Sequence, residues 1–277
     1  MKQEEIDSII EAALREDLPE GDITSENVIP PTSVSEAIIL AKEDAVLAGI
    51  DVSRRVFEKI DARLSFKKMI DDGQQFRKGE VLARLKGNSI SLLKGERTAL
   101  NFLQRMSGIA TKTREYVQAV HGTKAKILDT RKTTPGLRIL EKYAVRMGSG
   151  FNHRLNLSEM VLIKDNHLSI VGSISEAVKR AKDRVRPGVK IEVEVKNFEE
   201  AREAVESGAS MIMLDNISLV RMREIVDWVK GRVPIEVSGN VSLRKAKEIA
   251  FLGVDFISVG ALTHSYMSID ISLEFLS

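Results

Sequence analysis

The chain has 277 residues, enough for one large domain or two modest ones with ample core. An apolar fraction of 43%, a charged fraction of 30% and a formal charge of +2 describe an ordinary soluble globular protein, with no global field that calls for nucleic acid or an anionic membrane. The absence of cysteine excludes disulfides, thiol nucleophiles and cysteine-ligated zinc.

At the N-terminus, MKQEEIDSIIEAALRED predicts an acidic amphipathic helix with Ile6, Ile9, Ile10, Ala13 and Leu14 on one face. It has no apolar h-region, so it does not read as a signal peptide, and no apolar run approaches membrane-spanning length. A cytoplasmic protein is expected. The segments AIILAKEDAVLAGI and ARLSFKKMIDDGQQFRKGEVLARLKG, with turns at Asp72-Gly73 and Lys78-Gly79, predict short antiparallel strands. The helix SLLKGERTALNFLQRMSGIA follows them. Residues 1–107 therefore predict a smaller α+β domain, with the boundary to the next in the helical stretch around 105–120.

From about residue 125 a unit recurs: an aliphatic run, a polar or glycine-containing turn, then an amphipathic helix. The runs are KILDT (126–130), MVLIKD (160–165), IEVEV (191–195), MIMLD (211–215), PIEVSG (234–239) and FISVG (256–260). Gly208, Gly231 and Gly253 stand where helices should stop. Strands alternating with helices predict a parallel sheet with right-handed crossovers. The repeat count fits an incomplete α/β barrel over 108–265 better than a doubly wound sheet, and the GxGxxG dinucleotide fingerprint is absent. No GxxxxGK[ST] loop exists either, which argues against P-loop hydrolysis. The last segment, within 266–277, alternates like a strand, has no helix after it and is expected to return to the first domain.

In such a barrel the active site forms at the carboxyl ends of the strands, and here those ends sort by charge. The first gives Arg131 and Lys132, and its loop carries Arg138, Arg146, His153 and Arg154; the second gives Lys164. The third and fourth give Glu194 and Asp215. The fifth gives Ser238-Gly239-Asn240, and the sixth Gly260, with His264 close behind. A basic sector suits a ligand with more than one carboxylate or phosphate. Two carboxylates suit ribose hydroxyls or Mg²⁺ with its waters. Glycine-containing loops let main-chain N–H groups approach a phosphate. The combination points to phosphoribosyl transfer. Against this, Arg138 or Arg146 taken alone reads better as a solvated loop charge. Of Glu192 and Glu194, which share one face of IEVEV, one reads equally as a structural partner to a core base. Lys132 and Lys164 also admit a Schiff-base aldolase. DDGQQFRKGEVLARLKG has the outline of a lipoyl or biotinyl carrier turn near Lys68-Met69, without the usual flanking residues.

The stretch LDTRKTTPGLRILEKYAVRMGSGFNHRLNLSEMVLIKDNHL (128–168) closely resembles the quinolinate phosphoribosyltransferase family. So do EDLPEGDITSENVIP, GERTALNFLQRMSGIAT, EVEVKN, IMLDN, VSGN and ISVGALTHS, in family order. The resemblance implies an α/β fold, an N-terminal α+β sandwich domain followed by an open α/β barrel. It implies transfer of the phosphoribosyl group of phosphoribosyl pyrophosphate to quinolinate with loss of pyrophosphate and CO₂, giving nicotinate mononucleotide for NAD biosynthesis. Partners would be these two substrates, with Mg²⁺ accompanying the donor, and neither nucleic acid nor membrane. A homodimer or larger assembly would lend Arg97 across its interface.

Carried over by motif, Thr130, Arg131, His153, Arg154 and Lys164 would surround the quinolinate carboxylates, with Lys132 between the two substrates. Glu194 and Asp215 would serve ribose hydroxyls and, indirectly, Mg²⁺. Ser238, Gly239, Asn240, Gly260 and Ala261 would line the phosphate site, with His264 near the donor's phosphates. The fifth-strand loop reads SGN where a second glycine is common, and Asn240 is expected to take up left-handed backbone there. A relative of the same fold associated with molybdate transport is the nearest alternative; the full set of basic residues favours quinolinate.

Overall fold

The computed structural model describes residues 3–276, which form two compact units: 3–114 with 133–149 and 262–276, and 115–132 with 150–261.

The first unit opens with α1 (Gln3–Asp17) and α2 (Ile23–Val28). Asp22 caps α2, its carboxylate accepting from the N–H groups of Thr24 and Ser25 at 3.0 Å. Strands β1 (Val34–Ala41) and β2 (Ala45–Val46) lead to α3 (Ile50–Ile60), then β3 (Ser65–Lys68), β4 (Gln75–Phe76) and β5 (Val81–Asn88). The 31-residue helix α4 (Ser89–Ala119) follows and buries the stripe Leu92, Ala99, Leu103, Met106, Ile109 and Ala110. On α1, Ile6 and Ile10 are buried as its periodicity requires, and Asp7 takes a two-pronged ion pair from Arg55 of α3 at 2.9 and 2.7 Å. Gly108 has a packing reason: a Cβ there would sit 2.0 Å from the carbonyl oxygen of Met267.

The second unit begins with β6 (Lys126–Leu128). The chain then leaves it for α5 (Arg138–Met147), which belongs to the first unit. It returns through β7 (Val161–Ile163), α6 (Asp165–Val171), α7 (Ile174–Arg184), β8 (Ile191–Val195) and α8 (Phe198–Glu206). β9 (Met211–Asp215), α9 (Leu219–Val229), β10 (Ile235–Ser238), α10 (Leu243–Ala250) and β11 (Phe256–Ser258) complete the alternation. The short α11 (Ala261–His264) precedes β12 (Ile271–Leu276), which pairs antiparallel with β1 in the order β12-β1-β5-β3. β2 and β4 form a separate antiparallel pair.

The six parallel strands run β6-β11-β10-β9-β8-β7, an open α/β barrel whose gap lies between β6 and β7. β8 is buried along its whole length, as a strand covered on both faces must be. Ser173, Asn197 and Ser242 each accept a main-chain N–H of the first turn of α7, α8 and α10. These caps set where each strand's loop ends, and so where the strand-end residues stand. The stretch 133–149, which the sequence places in the barrel, packs in the first unit because polar anchors hold it there. Glu141, fully buried, is ion-paired to Arg105 of α4, and the Tyr143 hydroxyl donates to Asp72 at 2.7 Å. No helix among the described residues is long and apolar enough to cross a membrane.

Candidate active site

All six barrel strands are parallel, so their carboxyl ends fall on one side of the sheet. Thr130, Arg131 and Lys132 follow β6, Lys164 follows β7, Glu194 lies in β8, Asp215 ends β9 and Ser238 ends β10. Gly239 and Asn240 continue from β10, and Gly260 and Ala261 follow β11. His153 and Arg154 come after Phe151, which bridges in parallel to Leu128 and so extends the β6 edge. These residues share the second unit, whereas Arg97, exposed on α4, and His264, at the end of α11, belong to the first.

The basic side is under-compensated. Arg131 has a buried Nε with no hydrogen-bond partner. Burial, and then the like charge of Arg131, holds the Arg154 guanidinium below its ordinary pKa, so the two cations lie within electrostatic reach of each other. Arg154 spends one donor on the Met160 carbonyl at 2.9 Å. Lys164 donates to Glu194 at 2.5 Å. The exposed Lys132 closes a tight turn through its N–H to the Thr130 hydroxyl at 3.0 Å. Guanidiniums crowded together with an idle donor favour an anionic ligand that desolvates with them.

On the other side, the Asp215 carboxylate accepts from Asn216 Nδ2 at 2.7 Å. Asn216 is left-handed (φ 53°) and its N–H donates to the Ser238 carbonyl at 3.2 Å, tying the end of β9 to that of β10. Gly239 (φ 100°) lies against it: a Cβ would meet Asn216 Oδ1 at 2.3 Å. Asn240 is also left-handed at φ 44°. Successive turns of this kind expose main-chain N–H groups to a phosphate. Glu194 and Asp215 offer only hard oxygen donors, which suit Mg²⁺ in its water- or phosphate-bridged mode.

Beneath the basic residues lies a buried polar network. Asp129, fully buried, accepts from the His153 N–H at 2.9 Å and from Asn152 Nδ2 at 2.5 Å. His153 Nε2 faces two fully buried carboxylates, Glu192 of β8 at 3.2 Å and Glu236 of β10 at 3.4 Å. Ser258 of β11 donates to the other oxygen of Glu236 at 2.6 Å. His153 Nδ1 accepts the Arg154 N–H at 2.8 Å, which assigns the ring proton to Nε2. Burial alone would lower the His153 pKa, but the accepting carboxylates of Glu192 and Glu236 outweigh it and carry it up to about 9. That shift would put a second proton on Nδ1, where the Arg154 contact leaves no space. The extra proton of the cluster therefore belongs on the glutamates, and burial does push Glu192 up to about 7. The three side chains bring ligand atoms within 4.8 Å of one another, a donor set that a divalent cation can also take.

Sequence reasoning marked Glu192 only as half of an alternative, named Asp129 and Asn216 as strand endings without a role, and passed over Glu236 and Ser258. The signal was present: a charged residue at the centre of an aliphatic strand, as in IEVEV and IEVS, has to find a partner. The carrier-turn reading loses its lysine, since Lys68 is paired with Asp71 at 2.8 Å where β3 ends.

Fold and side chains together define an open α/β-barrel protein that gathers basic and acidic residues at the carboxyl ends of its parallel strands. The chain matches the quinolinate phosphoribosyl transferase N-terminal domain over residues 22–107 and the C-terminal domain over 109–274. It belongs to the quinolinate phosphoribosyltransferase family. Among its relatives is a probable nicotinate-nucleotide pyrophosphorylase (carboxylating) of Bacillus subtilis, 44% identical over 94% of this chain and 89% of that one. Another protein of that name, from Synechocystis, is 41% identical over 97% and 92%. The crystal structure of NadC from Streptococcus pyogenes superposes with a TM-score of 0.96 at 40% identity, covering 100% and 99% of the two chains.

Proposed function

We propose that the chain joins quinolinate to the ribose of phosphoribosyl pyrophosphate, releasing pyrophosphate and CO₂ and forming nicotinate mononucleotide for NAD biosynthesis. The observation that carries this reading is the buried, unpartnered Nε of Arg131 within electrostatic reach of Arg154. An idle buried donor beside a second guanidinium favours an anionic ligand, and quinolinate carries two adjacent carboxylates.

Arg131, Arg154 and Lys164 grip the dicarboxylate, with Thr130 shaping the turn and His153 behind them. Lys132 stands between acceptor and donor. Ser238, Gly239, Asn240, Gly260 and Ala261 hold the 5′-phosphate, and Glu194 and Asp215 hold ribose hydroxyls and steady positive charge on the sugar. Glu194 and Asp215 are the residues that would hold Mg²⁺, and such an ion would supply charge neutralisation for a pyrophosphate leaving group.

The bond from ribose C1 to pyrophosphate loosens, and the quinolinate nitrogen supplies its lone pair to C1. The quaternised nitrogen then draws the electron pair left on the neighbouring ring carbon as CO₂ departs, and that carbon takes up a proton. No protein nucleophile enters, so the residues act by positioning and electrostatics. His264 near the donor's phosphates, a homodimer or larger assembly lending Arg97, and a cytoplasmic setting complete the reading.

Mixing the protein with Mg²⁺ and phosphoribosyl pyrophosphate should release pyrophosphate only when quinolinate is added, with CO₂ in equal amount. Release independent of quinolinate, or none with it, overturns the reading.

A further inference from the structure

His153 lies in the loop that also presents Arg154, yet its imidazole does not open toward an incoming anion. Nε2 faces Glu192 at 3.2 Å and Glu236 at 3.4 Å, and Nδ1 is taken by the Arg154 N–H at 2.8 Å. The partners of Nε2 are fully buried, from two strands that are not neighbours in the sheet. Glu236 is fixed in turn by Ser258 at 2.6 Å. Glu192 accepts from the ring, whereas Glu236 Oε2 faces Nε2 without a hydrogen bond to it, and Glu192 Oε1 is likewise without a partner. A buried carboxylate left partly unsatisfied costs stability, and such a cost is tolerated where a site needs it.

We propose that Glu192 and Glu236 are positioning residues: they turn His153 inward, so that its ring locks the main chain of Arg154 and aims that guanidinium at the anion pocket. The inference rests on the quinolinate reading above and adds residues that do not touch the substrate. Asp129 supports the same turn by accepting the His153 N–H, so consecutive residues 152 to 154 are each held from below. Arg154 needs such support. It lies in a loop, and beyond its Nη1 bond to Met160 its charge is repelled by Arg131 and only partly offset by the charge of Glu192.

The test separates direction from charge. A glutamine amide donates from nearly the position of Nε2 but carries no charge, whereas alanine does neither. In the full-length protein His153→Ala should raise the quinolinate KM by roughly 10- to 100-fold, the size of effect expected from a misplaced binding group, with the phosphoribosyl pyrophosphate KM little changed. His153→Gln keeps the donor toward the glutamates but has no acceptor where Nδ1 meets the Arg154 N–H, so it should recover only part of that loss. A double Glu192→Met, Glu236→Met variant, which keeps volume and removes both carboxylates facing Nε2, should reproduce the alanine phenotype. If that variant does not fold, the His153 pair and ¹⁵N-histidine NMR still decide. The substrate-free protein should show His153 protonated at Nε2 and bare at Nδ1. A glutamine variant as impaired as alanine, a proton on Nδ1, or a stoichiometric metal ion that survives chelation would each overturn the proposal. Wild-type turnover tests the quinolinate reading separately, and the NMR measurement needs no turnover.

Discussion

Lys164, at the end of β7, donates to Glu194 of the neighbouring β8 at 2.5 Å, and this pair is the seam where the basic and acidic halves of the strand-end surface meet. The lysine side chain remains 44% exposed while the glutamate is 8% exposed, so the acid is fixed and the base is half free to engage a ligand. Replacing Lys164 with Ala should weaken quinolinate binding by roughly 10- to 100-fold, the range for losing a charge-assisted contact of about 1.5–3 kcal/mol. It should also leave Glu194 without its counter-ion. Steady-state kinetics with each substrate varied in turn would show it.

Arg131 trades stability for binding. Its idle, buried Nε costs free energy in the unliganded protein, so Arg131→Met should hold or raise the melting temperature while abolishing measurable quinolinate turnover. Arg131→Lys should lose at least about tenfold in kcat/KM, because an ammonium cannot offer the planar donor pair. Thermal melts alongside kinetics decide whether the two properties separate in this way.

Glu141 behaves differently, since its role is structural. It is fully buried and ion-paired with Arg105, and its second oxygen accepts the Thr134 N–H at 3.2 Å. Glu141→Ala strands a partly buried guanidinium and should destabilise the protein by about 3–5 kcal/mol in denaturant titration. A change below 1 kcal/mol would mean that the pair does not anchor the 133–149 stretch.

The proton-sharing cluster sets a pH dependence. Burial raises Glu192 from 4.5 to about 7, with His153 and Glu236 facing it. A carboxyl whose folded pKa is raised contributes stability that is fully present below its unfolded value and is lost as pH rises through the folded one. Melting temperature should therefore fall as pH climbs from about 5 to about 7.5, by the equivalent of up to a few kcal/mol, and Glu192→Gln should flatten that slope. An equally steep curve in the variant would assign the slope to other groups.

At Gly239 the left-handed backbone and the close Asn216 side chain both forbid a Cβ. Gly239→Ala should raise the phosphoribosyl pyrophosphate KM by about tenfold or more while sparing that of quinolinate, because the displaced loop belongs to the phosphate side. Equal effects on both substrates would argue against this division of the site.

The barrel strands were legible because each is a short aliphatic run ending in a polar residue, and the order Arg131, Lys164, Glu194, Asp215, Ser238 could be read from the chain alone. Periodicity did not reveal what lies below those ends. Nothing near His153 in sequence says that its ring turns toward Glu192 and Glu236, 39 and 83 positions away, because register between strands is set by tertiary packing. The placement of 133–149 escaped for a similar reason. Its helix has an ordinary amphipathic pattern, and the anchors that decide its allegiance, Arg105 and Asp72, come from far upstream.

That allegiance shapes what happens if the chain is cut. It passes from one unit to the other at 114/115, 132/133, 149/150 and 261/262, so neither unit is a continuous stretch of polypeptide. A protease nick at any one of these crossings frees no self-sufficient fragment, and a gene truncated to the barrel's outer limits still encodes a loop whose proper home has been deleted.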